Sequence, residues 1–509
     1  MSSATIAAEI GPTSGFSEVG QRYVRAAVHS GIGGVTSRIL QGFAPIILAR
    51  YLGPKEYGVY ALVLALVGIV AGVSHLGQND ALQKFLPEYA LKDPRRGGAI
   101  LADTVILVSG ALAGVCAGFY FLSGWIATAI YHDASLTHVF QFSALLILAQ
   151  TLFNLASSAA AGLQDFKVYS FAMMVRGAVF LGLGWLGVWL LGLYGAMLGQ
   201  VLASFFGLVL LTVPALKMIH KRFPGAVRPA FSASILKEIF NFGFPALLAG
   251  LLVPPAYWWA NTLLARHAGF EEVGLFGVAF ALAQLIMLVP SSLSIPAVSF
   301  MSETRAAAGQ ARFSKLVTAN LRLMWALALP PCMGCALASG LIVQVCFGQG
   351  YVRATGLMFW TSFTALWIVI GTQMGLAITS LGRMWEGFGV NTIWLVMFVG
   401  LASWWTTKYG AYGLAAAFFV SYLIFGLVLW QYSKRWLKIR YEGVRGIALL
   451  TLGAVGVSYL ASSHFGVLIS SLMAVFFSLA LVWAEWKLVL DNNERNFIKK
   501  VFAWLPSQT

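Results

Sequence analysis

The chain has 509 residues, of which 59% are hydrophobic and only 10% charged, and its mean hydropathy is +0.81. Soluble domains carry roughly 25% charged residues, so this chain lacks the polar groups to cover a globular surface in water, and lipid must be its solvent. The formal charge of +15 then reflects the cationic bias of cytoplasmic loops rather than nucleic-acid binding.

Backbone polar groups in lipid need internal partners, which leaves helices or closed barrels. The apolar runs here are about twenty residues long, the length of a membrane-spanning helix, and do not alternate as barrel strands do. The predicted fold is therefore an all-α polytopic bundle. An amphipathic cytoplasmic segment (1–29) comes first, with FSEVGQRYVRAAVH (16–29) as a surface helix in place of a signal peptide. Six spans follow near 30–50, 57–79, 99–122, 139–162, 169–191 and 195–216, forming a first lobe over 30–216. A polar linker (217–238) leads to a second lobe (239–432). Its six spans run near 239–263, 273–297, 321–346, 355–381, 387–406 and 411–432. A basic loop and a last hairpin (446–462, 465–486) fill 433–486, and a cytoplasmic tail ends the chain (487–509).

With the N-terminus inside, 26 of the 33 Lys and Arg residues fall on the cytoplasmic side and five on the other; Arg38 and Arg176 lie within spans. This split places both termini in the cytoplasm. The outer loops are short, the longest being SGWIATAIYHDASLTHV (123–139).

A repeat runs through this layout. ILARYLGPKEYGVYALV (47–63) returns as LLARHAGFEEVGLFGVA (263–279), aligning Leu48-Ala49-Arg50 with Leu264-Ala265-Arg266, then Gly53 with Gly269, Glu56 with Glu272 and Gly58 with Gly274. The offset of 216 residues contains six spans, an even number, so the two lobes are parallel repeats about an axis along the membrane normal. Arg50, Glu56, Arg266 and Glu272 thus mark equivalent outer turns.

LARYLGPKEYGVYAL, LGQNDALQKFLPEYA (76–90), FGQGYVRAT (347–355) and ITSLGR (378–383) together resemble the polysaccharide transporters. These are the Wzx-type O-antigen and exopolysaccharide flippases of the MOP superfamily, which also holds the MATE drug exporters and the lipid II flippase. The resemblance implies a two-lobe carrier that moves lipid-linked oligosaccharide to the outer leaflet of the inner membrane, with no enzymatic step. Its partners are that substrate, membrane lipids and other polysaccharide-assembly proteins. The sequence departs from its own repeat at Phe270 for Pro54 and Ala268 for Leu52. The additional hairpin resembles the lipid II branch.

Candidate cavity residues follow from charge in the membrane, which is costly unless wetted or paired. Ser30, Gly34, Arg38, Gln41 and Pro45 recur at three- and four-residue steps and share one helical face. Arg38 lies about 12 Å in from Ser30 at 1.5 Å per residue; it either lines a cavity and offers a fork to phosphate, or pairs with a carboxylate or snorkels. Arg176, six residues into span five, either joins it or snorkels. At the repeat offset Arg38 maps onto Pro254 and Gln41 onto Tyr257. Tyr257 and Trp258, within VPPAYWWAN (253–261), either stack on sugars or, as the preferred reading, belong to an interfacial aromatic belt. Gln78 and Asp80 end span two at the inner mouth. Asp103 is the best buried carboxylate for ion coupling, although a favourable place at its helix N-terminus explains it as well.

GLGWLG (182–187) reads as close helix packing and CMGC (332–335) as apolar filler. No Walker A sequence or metal-ligand cluster is present, and no cofactor is expected beyond a coupling ion, H+ or Na+. Two competing functions are weighed. A MATE-like organic-cation exporter calls for buried carboxylates, whereas the charge here is basic. A membrane glycosyltransferase or polymerase calls for an acidic outer loop, and the first long one offers only Asp133.

Overall fold

A computed structural model describes the backbone of residues 18–490 and of Arg495, apart from Gln164, Ala226 and Glu442; side chains are described for most residues from Ile39 onward. Every described element is helical. The first lobe comprises α1 (Glu18–Ser74), α2 (Gln78–Lys92), α3 (Pro94–Trp125), α4 (Thr137–Gly162) and α5 (Phe166–Arg222). The second comprises α6 (Ala233–Gly250), α7 (Val253–Ala268), α8 (Phe270–Leu337), α9 (Thr355–Ser380) and α10 (Met384–Arg435). The hairpin α11 (Val444–His464) and α12 (Val467–Ala484) packs against α8.

The longest helices are pairs of spans joined at glycines. α1 breaks at Gly53 (φ 72°, ψ 170°), α5 at Gly192 (56°, −133°), α8 at Gly309 (75°, −173°) and α10 at Gly410 (57°, −135°). Span seven is divided differently, into α6 and α7 around Leu251–Leu252. Pro254 and Pro255 carry no N–H for the carbonyls four residues back, so the helix parts there rather than merely bending. Counting both limbs of each broken helix, the described chain makes about fourteen crossings, in two lobes of six plus the hairpin. The helix α1 is continuous from residue 18 through the start of span one, so no separate surface helix precedes it in residues 18–29.

The two lobes repeat in geometry as well as sequence. Gly269 (φ 90°, ψ 167°) copies Gly53, and Gly410 copies Gly192. Only glycine adopts such angles without cost, which accounts for these residues at the turns. Each lobe also ends its third span in a π-helical turn, Ile126–Ile130 and Val343–Phe347. A 3₁₀ turn follows each, Ala134–Leu136 and Gln349–Ala354. Along the outer flanks, Trp185, Trp189, Leu449, Leu472 and Phe476 stand exposed, as a lipid solvent requires.

Candidate functional site

The lobes meet backbone to backbone at the charge-poor end of the bundle, where Gly53 and Gly269 turn the chain. A Cβ on Gly58 would sit 1.8 Å from the Phe270 carbonyl oxygen, and one on Gly274 1.9 Å from that of Pro54. Residues 54 and 58 are 216 before 270 and 274, so this is one contact made twice, across a two-fold axis between α1 and α8. Small residues permit such backbone approach in lipid.

Around that axis the lobes are tied by polar contacts. Arg50 Nη1 donates to the Val345 carbonyl at 2.9 Å, and Arg266 Nη2 lies 3.1 Å from His132 Nε2. These two arginines are repeat partners, and each reaches the π-turn region of the opposite lobe. Tyr351 donates to the Ala49 carbonyl at 2.9 Å. Trp258 Nε1 donates to the Tyr131 hydroxyl at 3.0 Å, which lies 3.1 Å from the Thr262 hydroxyl. A buried apolar cluster crosses the same seam, joining Leu48, Tyr57 and Tyr60 to Ala260, Leu264, Val273 and Phe276. This end of the molecule is closed.

The repeated glutamates serve each lobe's own frame. Glu272 accepts the Ala411 N–H at 3.2 Å, capping the limb that starts after Gly410, and pairs with Arg353. Glu56 faces Gly192 in the same way: the Glu56 carboxylate would be 3.8 Å from a Cβ placed there.

On the far side of the closure lies a cavity of about 520 Å³ between the lobes. Gly42 and Pro45 of α1 form one wall; α8 supplies Gln284 and Ser291, and α9 supplies Thr372 and Gln373. Counted from the turns at 53 and 269, these residues stand about 12–33 Å from the closed end at 1.5 Å per residue. Gln373 accepts from Asn320 Nδ2 at 2.8 Å. The described lining is neutral, with amides and hydroxyls set among aliphatic carbons.

At the basic end the lobes also touch. A Cβ on Gly77 would be 1.8 Å from the Gly243 carbonyl oxygen, and the Gln78 amide packs on Gly243. Tyr89 donates to Glu238 at 2.6 Å, and Arg96 pairs with the same carboxylate at 2.8 Å. The bond to Glu238, with some desolvation, raises the Tyr89 pKa and keeps the phenol a donor.

The sequence candidates are distributed unevenly over this frame. Arg50 and Arg266 each tie the closure at a separate point, while Glu56 and Glu272 stay within their lobes. Gln78 lies at the basic-end contact. The side chains of Ser30, Arg38, Gln41 and Asp80 lie outside the described residues. Arg176 stands in the first lobe with its guanidinium 4.4 Å from the Phe153 ring centre and its Cβ against Gly207; among the described residues no carboxylate pairs with it.

Two readings are corrected. Tyr257 and Trp258 form no interfacial belt: Tyr257 packs on Phe418 (4.7 Å between ring centres) and Phe280 (5.3 Å) inside the second lobe, and Trp258 bridges the lobes. Belt and interior draw on the same residue types, because aromatics with a polar tip suit both. Asp103 is not at a helix N-terminus either. α3 begins at Pro94, and Asp93 caps it by accepting the Arg95 and Arg96 N–H groups. Asp103 is fully buried and accepts the N–H groups of Ala230 (2.9 Å) and Phe231 (3.0 Å), pinning the connection between the lobes.

GLGWLG does pack helix on helix, Gly187 against Gly195 and Gly184 against Gly199. Tyr131, His132, Val345 and Tyr351 escaped sequence reasoning; the one available signal was the corresponding place of 123–139 and 347–355 after the third span of each lobe.

The chain's relatives agree with this architecture. It is 23% identical to the EPS I polysaccharide export inner membrane protein EpsE of Ralstonia solanacearum, over 78% of this chain and 90% of that protein. It is 20% identical to the lipid III flippase of Escherichia coli (strain K12), over 74% and 90%. Its fold is shared with the lipid II flippase MurJ in an inward closed conformation, at 14% identity and a TM-score of 0.71, covering 89% of this chain and 98% of that one. The family model described as polysaccharide biosynthesis protein matches residues 47–355, well over half of the sequence, and the chain belongs to that family.

Proposed function

We propose that this protein is a flippase of the inner membrane. It moves polyprenyl-pyrophosphate-linked oligosaccharide from the cytoplasmic to the outer leaflet by alternating access of its two lobes. The observation that carries the mechanism is the pairing of a two-fold closure at the charge-poor end with a neutral cavity beyond it. A passage sealed at one end and hollow behind the seal is one of the two states that alternating access requires. Relatives with export and flippase names support the substrate class.

The parts divide by chemistry. The cavity's amides and hydroxyls suit uncharged sugar hydroxyls. Arg38 stands four residues before Gly42 and seven before Pro45, one and two helical turns, a spacing that supports a place on their helical face. Its rigid fork would take the pyrophosphate, with Arg176 as a second cation. The lipid tail stays in the bilayer. The charge bias of the loops supports both termini in the cytoplasm and the closed end outside. The proposed driving ion is H+ or Na+, and the carrier works beside other polysaccharide-assembly proteins.

Purified protein in vesicles carrying a lipid-linked oligosaccharide tests this. Wild-type protein should expose the saccharide on the opposite face, and Arg38→Ala should slow that at least tenfold. Undiminished transport by the variant removes Arg38 from the mechanism; wild-type vesicles that leave the saccharide where it was loaded overturn the function.

A further inference from the structure

The two arginine ties at the closed end are equivalent in position but differ in what they reach. Arg50 donates to a backbone carbonyl, whereas Arg266 faces an imidazole. The contacts of His132 fix its chemistry. Its Nδ1 lies 3.1 Å from the Thr128 carbonyl oxygen, which only accepts, so Nδ1 carries the proton. Its Nε2 faces the Arg266 guanidinium, which only donates, so Nε2 must present a lone pair. Both neighbours therefore demand one neutral tautomer. His132 also holds a left-handed backbone (φ 54°), a position uncommon outside glycine, which aims the ring across the lobe seam. Both side chains are exposed at this end of the bundle.

We infer that His132 is a proton-binding site that unlatches the charge-poor end of the bundle. A proton on Nε2 removes the acceptor and sets an imidazolium against a guanidinium, so a hydrogen bond is replaced by like-charge repulsion. Opening is thereby linked to uptake of one proton. Other charged groups on the adjoining elements are engaged elsewhere. Asp133 accepts from the Ser135 N–H and hydroxyl, the His138 Nδ1 bonds Gln141, and His267 turns to the Leu263 carbonyl. Glu271 and Glu272 pair with Arg353. The Arg50 tie, lacking a titratable acceptor, is an internal reference.

The inference rests on the alternating-access reading for its consequence, but its test reads the closure and not transport. Spin labels attached through unnatural amino acids at Lys55 and Lys408, one on each lobe, report the separation of this end in the full chain in lipid nanodiscs at pH 5 and pH 8. The closed-to-open ratio should fall roughly two- to tenfold at pH 5, the range for one exposed charged contact turned repulsive. His132→Gln keeps an acceptor that does not titrate, and should hold the pH 8 ratio at both values. Arg50→Ala should lower the ratio at both pH values and keep the step. A wild-type ratio that is equal at pH 5 and pH 8, or an undiminished step in His132→Gln, overturns the assignment. Loss of transport with the step intact would count against the flippase reading alone.

Discussion

Replacing Gly58 by alanine tests whether the two-fold contact holds the closed state. The new Cβ would lie 1.8 Å from the Phe270 carbonyl oxygen. An ordinary C···O separation is about 3.3 Å, so the backbone of α8 must retreat by about 1.5 Å. Its neighbour is a main-chain atom at the start of a long helix and cannot rotate aside. Overpacking of this kind costs about 1–3 kcal/mol, equivalent to a five- to 150-fold fall in the closed-to-open ratio. Alanine also favours the helix by about 1 kcal/mol over glycine. Residue 58 lies within a helix and stays so in a rigid-body separation of the lobes, so that term cancels from the closure equilibrium. Gly68, where a Cβ would meet no atom within 4 Å, is the matched control: Gly68→Ala should leave the ratio unchanged. Label separation across the charge-poor end in nanodiscs measures the effect. If Gly58→Ala closes as often as wild type, the contact is not what seals that end. Gly274→Ala should behave alike. The double variant should cost less than the two effects added, because one retreat of α8 relieves both clashes.

Two further outcomes concern the basic end. Asp103→Ala leaves the Ala230 and Phe231 N–H groups without their carboxylate, at a cost of about 2–4 kcal/mol. Chymotrypsin should then cut after exposed Phe231 at least tenfold faster, with Asp103→Asn in between; an unchanged rate would show that the connection is held by something else. Arg96 and Glu238 are partly exposed, so a double-mutant cycle with Arg96→Ala and Glu238→Gln should give a coupling of only about 0.5–1 kcal/mol. That coupling should shrink at high salt.

What the sequence disclosed follows from which forces are local. Lipid selects runs of apolar residues, so most spans were legible, as were the turns at Gly53 and Gly269, where a glycine and charge interrupt the run. Span seven was harder, since Pro254-Pro255 announces a disturbance without saying whether the helix bends or parts. The 216-residue repeat was visible as matching letters, but its purpose was not: Gly58 and Gly274 matter because each faces the other lobe. Tyr257 went to the wrong environment because its composition suits a belt and an interior alike. Asp103 was read against its own helix, while its partners lie 127 and 128 residues away. His132 gave no signal beyond the place of its loop, for its partner is 134 residues distant.

Symmetry bears on how such a closure can be tuned. A change on the axis, at Gly58 or Gly274, acts on a contact that each lobe makes with the other, and so alters the seal without preferring either lobe. A change off the axis acts on one tie only. Arg50 and Arg266 occupy equivalent places, yet a carbonyl oxygen receives one and an imidazole the other. An amide carbonyl is not a base in water, whereas an imidazole nitrogen with a free lone pair is. Divergence of a single acceptor is therefore enough to make a duplicated scaffold responsive to its surroundings while the fold's geometry stays the same in both halves. Had both arginines met histidines, opening would be linked to two protons and respond twice as steeply to pH. With carbonyls at both sites, neither tie would respond.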